Sequence, residues 1–100
     1  MLRHVAVYTW QPGTTDEQIE TFRAGVLALL GQIPEIRALT LGPDAGLTDG
    51  NDAFALVADF DDAEAYRRYA TNPTHLDVIE RLLTPIRATR HAVQLEYERE

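Results

Sequence analysis

The sequence predicts an α+β domain with the element order βαββαβ, its helices on one face of a four-stranded antiparallel sheet. Three observations lead there. The apolar pattern switches between a period of 2 and a period of 3.6 several times along 100 residues. Two strand-like stretches, not one, separate the two helical regions. Turn-forming residues mark most of the switches: Gln11-Pro12-Gly13, Pro34, a loop over 42–52 and Asn72-Pro73. The length is that of one ordinary domain, and no stretch has the composition of a linker or tail, so residues 1–100 are expected to form a single domain.

The first strand spans Leu2 to Trp10. Leu2, His4, Ala6, Tyr8 and Trp10 share one face, and Arg3, Val5, Val7 and Thr9 share the other. Both faces carry apolar residues, as in a strand covered on both sides. Helix 1 spans Thr14 to Gln32, with Thr14 and Glu17 at capping-box spacing. Its apolar stripe is Ile19, Phe22, Val26, Leu29, Leu30 and Ile33. Gly25 weakens its middle by about 1 kcal/mol relative to alanine, and is read as letting the helix approach the sheet closely. Strand 2 is Ile36 to Leu41. Strand 3 is Ala53 to Phe60, with Phe54, Leu56, Ala58 and Phe60 on one face.

Asp61 is expected to cap helix 2, with Glu64 three residues on and Ala65, Tyr66, Tyr69 and Ala70 on the inner side. Asn72-Pro73 breaks that helix and starts another, with Asn72 as N-cap and Pro73 at the first helical position. Leu76, Ile79, Leu83 and Ile86 form the stripe of helix 3. Strand 4 is Ala88 to Glu98, with His91, Val93, Leu95 and Tyr97 on one face. This order is the ferredoxin-like plan. The sheet face away from the helices carries Val5, Val7, Val57 and Ala92 and needs a cover. The simplest cover is the same face of a second copy, in a homodimer burying more than ~1,000 Å².

The composition excludes several classes. Nine basic against 16 acidic residues give a net charge of −7, which argues against nucleic acid and anionic membranes as partners. The chain has no cysteine, so disulfides, thiolate catalysis and cysteine-ligated metals are excluded. No apolar run approaches the roughly 20 residues of a membrane span, and the start of the chain lacks a signal-peptide pattern, so the expected compartment is the cytoplasm. His4, His75 and His91 lack the close spacing of a metal-ligand set. Asp59, Asp61 and Asp62 form an acidic cluster in which Asp61 is better explained as a cap. No glycine-rich phosphate loop is present. Neither a metal nor another cofactor is expected.

Four segments together resemble the stress-responsive dimeric α/β-barrel (Dabb) family. They are the opening His-Val-Ala-Val-Tyr-Thr-Trp-Gln-Pro-Gly-Thr-Thr, then Gln-Ile-Pro-Glu-Ile-Arg, then Ala-Leu-Val-Ala-Asp-Phe-Asp-Asp, then Tyr-Ala-Thr-Asn-Pro-Thr-His. The resemblance runs nearly end to end. It implies a homodimer whose two sheets pack face to face into an α+β barrel. Most members have no assigned reaction, and one plant member folds a linear polyketide by an aldol step without a cofactor. By that resemblance His75 matches the plant enzyme's catalytic histidine, Tyr69 its partner tyrosine and His4 a histidine lining its pocket. Two polar pocket positions are apolar here, Phe54 and Val26, and Tyr8 joins them as a candidate pocket residue. Heme-linked and oxygenase roles also occur among related dimeric barrels, but no axial ligand stands out.

Each candidate has a chemical and a plain structural reading. His75 falls in the first turn of helix 3, where unpaired N–H groups disfavour a positive imidazole and so favour a general base. Its structural reading is a residue that orders the helix start or bonds to Asn72 or Tyr69. Tyr69 could hold a carbonyl and stabilise an enolate, or be a core-edge tyrosine. His4 is a positioning group or a half-buried structural histidine, and His91 is structural. Two function classes follow. One is a dimeric scaffold that binds a small ligand or serves a stress response. The other is a cofactor-independent cyclase, isomerase or lyase acting on a small carbonyl compound, with His75 as base.

Overall fold

In the computed structural model, which describes residues 1–98, the chain runs β1 (Leu2–Trp10), α1 (Asp16–Ala28), β2 (Ala38–Pro43), β3 (Phe54–Phe60), α2 (Ala63–Thr71), α3 (Pro73–Val78) and β4 (Arg87–Glu96). A 3-10 turn (Leu29–Gly31) extends α1, and a π-helical turn (Ile79–Leu83) extends α3. All strand pairs are antiparallel, in the order β2-β3-β1-β4, so the fold is the ferredoxin-like α+β sheet with helices. None of the helices among the described residues is long and apolar enough to cross a membrane.

The period of 2 in β1 decides what the sheet buries. Leu2, His4, Ala6 and Tyr8 alternate with half-exposed Arg3, Val5 and Val7. The buried set meets Phe54, Leu56, Ala58 and Phe60 of β3 and the helix residues Phe22, Val26, Tyr69, Val78 and Leu83. Burying such side chains contributes about 1.5–3 kcal/mol each. Tyr8, Trp10, Phe22 and Phe54 pack ring against ring, with centroids 5.5–6.4 Å apart. On the opposite face Val57, Val5 and Val93 stand side by side across three strands. Val93 is 55% exposed and Leu95 43%, so this apolar face has no cover among the described residues.

Several local details depart from the sequence expectations. Thr14 closes the preceding turn by donating to the Gln11 carbonyl, so the cap of α1 moves to Thr15, reciprocally bonded with Gln18 rather than Glu17. Asp62, not Asp61, caps α2 by accepting from the Ala65 amide at 2.8 Å. Asp61 instead pairs with Arg37, and Asp59 accepts two bonds from Arg3 at 2.7 and 3.0 Å. The acidic cluster is thereby divided among two ion pairs and a cap. Among the described residues, no group of three or more His, Cys, Asp or Glu side chains could hold a metal ion.

Gly25 faces Leu82 and Val78 rather than the sheet. A Cβ there would come within 2.5 Å of the Leu82 methyl, so the glycine permits contact between α1 and the π turn. Ala92 pairs with Ala6 and thus lies on the helix side. Val93 takes the open-face place expected for it. Leu30 and Leu76 are exposed, whereas Val78 is buried, because the 3-10 and π turns shift the phase of the apolar stripe. The Asn72-Pro73 break is present: Asn72 Oδ1 accepts from the Thr74 amide at 2.8 Å, and Pro73 opens α3.

Candidate active site

Breaking the helix at Asn72-Pro73 turns α3 back toward the residues that end α2. His75 lies in the first turn of α3, and its Nδ1 lies 3.3 Å from the Ala70 carbonyl across the break. A carbonyl can only accept, so Nδ1 carries the proton. In a neutral ring Nε2 is then left with its lone pair free to take a proton. The ring packs on Tyr69 with centroids 4.2 Å apart and planes inclined by 37°. The break that the sequence marks is therefore what joins the tyrosine of one helix to the histidine of the next.

Opposite them on β1, His4 is 5% exposed. Its Nδ1 lies 2.8 Å from the Gln94 side-chain nitrogen, which donates to it, so Nε2 carries the proton of the neutral ring. His4 also packs against Tyr66, ring centroids 5.0 Å apart. Between these groups lies a cavity of about 100 Å³, lined by His4, Tyr8, Tyr66, Tyr69, His75, Arg87 and Arg90 with Leu56, Ile79 and Leu83. Three surface grooves are larger, at about 540, 500 and 450 Å³, yet none of them brings a histidine next to a tyrosine. Chemistry rather than size selects the smaller cavity.

Burial favours the neutral forms of His4, His75, Tyr69 and Tyr8 in this cavity. Burial pushes His4 down to about 4, and the Arg90 charge adds to the effect. Burial likewise lowers His75, against the opposing hydrogen bond to Ala70. Tyr69 and Tyr8 are pushed upward by burial, so both hydroxyls stay protonated and can donate. A consequence for stability follows. The unfolded chain protonates His4 below about pH 6.5, while the folded chain holds it neutral down to about 4. Stability is thus complete above about 6.5 and declines as pH falls, by up to about 1.4 kcal/mol per pH unit for each such histidine. Urea denaturation of His4→Gln should show a shallower loss between about pH 6.5 and 4 than the parent chain.

The candidates named from the sequence separate into two groups. His75, Tyr69, His4 and Tyr8 all line the cavity. Phe54 and Val26 do not: each is about 1% exposed, Phe54 within the aromatic cluster and Val26 in the core under α1. His91 lies on the open sheet face, its Nδ1 3.5 Å from Asp52. Sequence reasoning left out Arg87, Arg90 and Gln94, and placed Tyr66 only on the inner side of its helix. In β1–β4 pairing Tyr8 faces Arg90, Thr9 faces Thr89 and Trp10 faces Arg87, so Ala88 is the extra residue of a bulge. That bulge turns Arg87 to the same face as Arg90, which strict alternation would not do.

The family model of the stress responsive A/B barrel domain matches residues 2–97. The chain belongs to this family. A comparison with curated proteins found no match. Among solved structures, this Dabb chain is similar to a dimeric ferredoxin-like protein of unknown function from Thermobifida fusca. The two are 34% identical, over 96% of this chain and 90% of that one, with a TM-score of 0.87. It also shares its fold with a hydroxynitrile lyase from Passiflora edulis, 16% identical over 99% and 94% of the two chains, TM-score 0.86. A cofactor-independent oxygenase from Streptomyces nogalater is 18% identical over 99% and 94%, TM-score 0.78. This fold is therefore shared by proteins described as enzymes and by a protein of unknown function.

Proposed function

We propose that this Dabb chain is a homodimer that binds a small carbonyl compound in the His75 cavity and moves a proton on it without a cofactor. The observation that carries the reading is the 3.3 Å contact between His75 Nδ1 and the Ala70 carbonyl: it assigns the proton to Nδ1 and leaves Nε2 as the basic atom, in a ring that burial favours as neutral beside Tyr69. A substrate carbonyl accepts from the Tyr69 hydroxyl, and His75 Nε2 takes a proton from the adjacent carbon. The electron pair of that C–H bond moves into the carbonyl, giving an enolate whose oxygen Tyr69 stabilises. His4, with Nδ1 held by Gln94, offers Nε2–H as a second donor. The enolate then takes back a proton, expels a leaving group or attacks a second carbonyl, which are the steps of an isomerase, a lyase and a cyclase respectively.

One observation favours the alternative of a binding scaffold. The cavity of about 100 Å³ is well below the volume typical of ligand sites, so any ligand is small or extends out past the arginines. The readings separate in one experiment. The α-protons of acetoacetate, acetoacetamide and acetylacetone are followed by proton NMR in deuterated buffer. A proton-transfer enzyme exchanges them faster than the buffer does. Identical rates with and without the protein would leave the scaffold as the better reading.

A further inference from the structure

Eight arginines lie among the described residues. Six of them, Arg3, Arg23, Arg37, Arg67, Arg68 and Arg81, pair with carboxylates. Arg87 and Arg90 have no carboxylate partner among the described residues, and both line the His75 cavity. In a chain of net charge −7 this arrangement is unexpected, because carboxylates outnumber guanidiniums and most arginines find one. The bulge at Ala88 is what places both on one face. The Arg90 charge reaches His4, Tyr8, Tyr69 and His75 alike, so it sits within range of all four cavity groups. The neutral histidines add no positive charge of their own, and among the described residues no acidic side chain lines the cavity.

We infer that the site takes a carbonyl compound bearing an anionic group, a carboxylate or a phosphoryl group, held at the mouth by Arg87 and Arg90 while the carbonyl reaches inward to Tyr69 and His75. A guanidinium fits either anion through paired N–H donors, and two of them on one strand face form a cleft for it. The inference rests on the proposed function only for which end of the ligand faces inward. An anion at the mouth would also offset the imidazolium that His75 becomes on taking a proton.

The test titrates acetoacetate, 2-oxopropylphosphonate and acetoacetamide into the wild-type chain, reading the ring protons of His4 and His75 by NMR. The wild type is expected to bind one or both anions at least ~10-fold more tightly than the neutral amide, about the worth of one charge-assisted hydrogen bond. The tighter anion identifies the headgroup. Arg90→Met should remove that advantage, Arg87→Met should reduce it, and Arg81→Gln, which breaks an exposed pair with Asp77, should leave it intact. Equal affinity for all three probes, an advantage that survives in Arg90→Met, or no response at either histidine would overturn the inference. Arg90-dependent binding without α-proton exchange would sink the base assignment and leave the anion site standing. Exchange as fast on acetoacetamide as on the anions, with no effect of Arg90→Met, would do the reverse.

Discussion

His75→Asn is expected to lower α-proton exchange by about 10²- to 10⁴-fold, the range that a positioned general base contributes. Asparagine is the informative replacement. Its amide nitrogen, two bonds from Cβ as Nδ1 is, can still donate to the Ala70 carbonyl, so the start of α3 keeps its hydrogen bond, but nothing stands at the place of Nε2 to take a proton. His75→Ala should lose the same rate and also destabilise the chain by about 1 kcal/mol, because the Ala70 bond and the packing on Tyr69 both go. A purely structural His75 separates the two losses: the alanine variant still loses stability, but the asparagine variant keeps any exchange activity. Parallel denaturation curves and exchange rates for the two variants separate these cases.

Val7→Glu is expected to convert the protein from twice the 11.2 kDa chain mass to a monomer. Val7 lies on the open sheet face between Ala55 and His91, next to the row of Val57, Val5 and Val93. In a dimer closed through that face, two new carboxylates would be taken out of water. The penalty is several kcal/mol for each ion. Each 1.4 kcal/mol is tenfold in affinity, so the dimer should weaken by about 10³-fold or more. Leu47→Glu, in a loop position 86% exposed, serves as the control and should leave the mass unchanged. Light scattering at micromolar concentration reads both. A Val7→Glu protein that remains dimeric would place the interface elsewhere.

The parts of this account that were legible in the sequence are those governed by period and by strong local chemistry. Alternation in β1 showed which face held His4 and Tyr8 and which held Val5 and Val7. The Asn72-Pro73 pair marked the break that brings His75 back to Tyr69. Cap positions were off by one wherever two candidates adjoin, as at Thr14-Thr15 and Asp61-Asp62. There the choice depends on what else the first residue bonds: the Gln11 carbonyl in one case and Arg37 in the other. The exposure of Leu76 in place of Val78 was hidden because a π turn has a different residue count per turn from the α-helical stripe. The arginines were hidden for a related reason. Their convergence depends on a bulge and on the register between the first and last strands, and neither leaves a mark in the local pattern. Gln94, which fixes the tautomer of His4, lies 90 residues away and is likewise found only once the strands are paired.

The central claim is that His75 is a neutral imidazole with its basic nitrogen free. Nitrogen-15 NMR of the histidine ring tests it without a substrate, because the two ring nitrogens give distinct shifts in each tautomer. At about pH 7 the ring is expected to be neutral and protonated at Nδ1, with a titration midpoint below the usual value of about 6.5, lowered by burial and by Arg90. A ring protonated at Nε2, or an imidazolium with a midpoint at or above about 6.5, would contradict it.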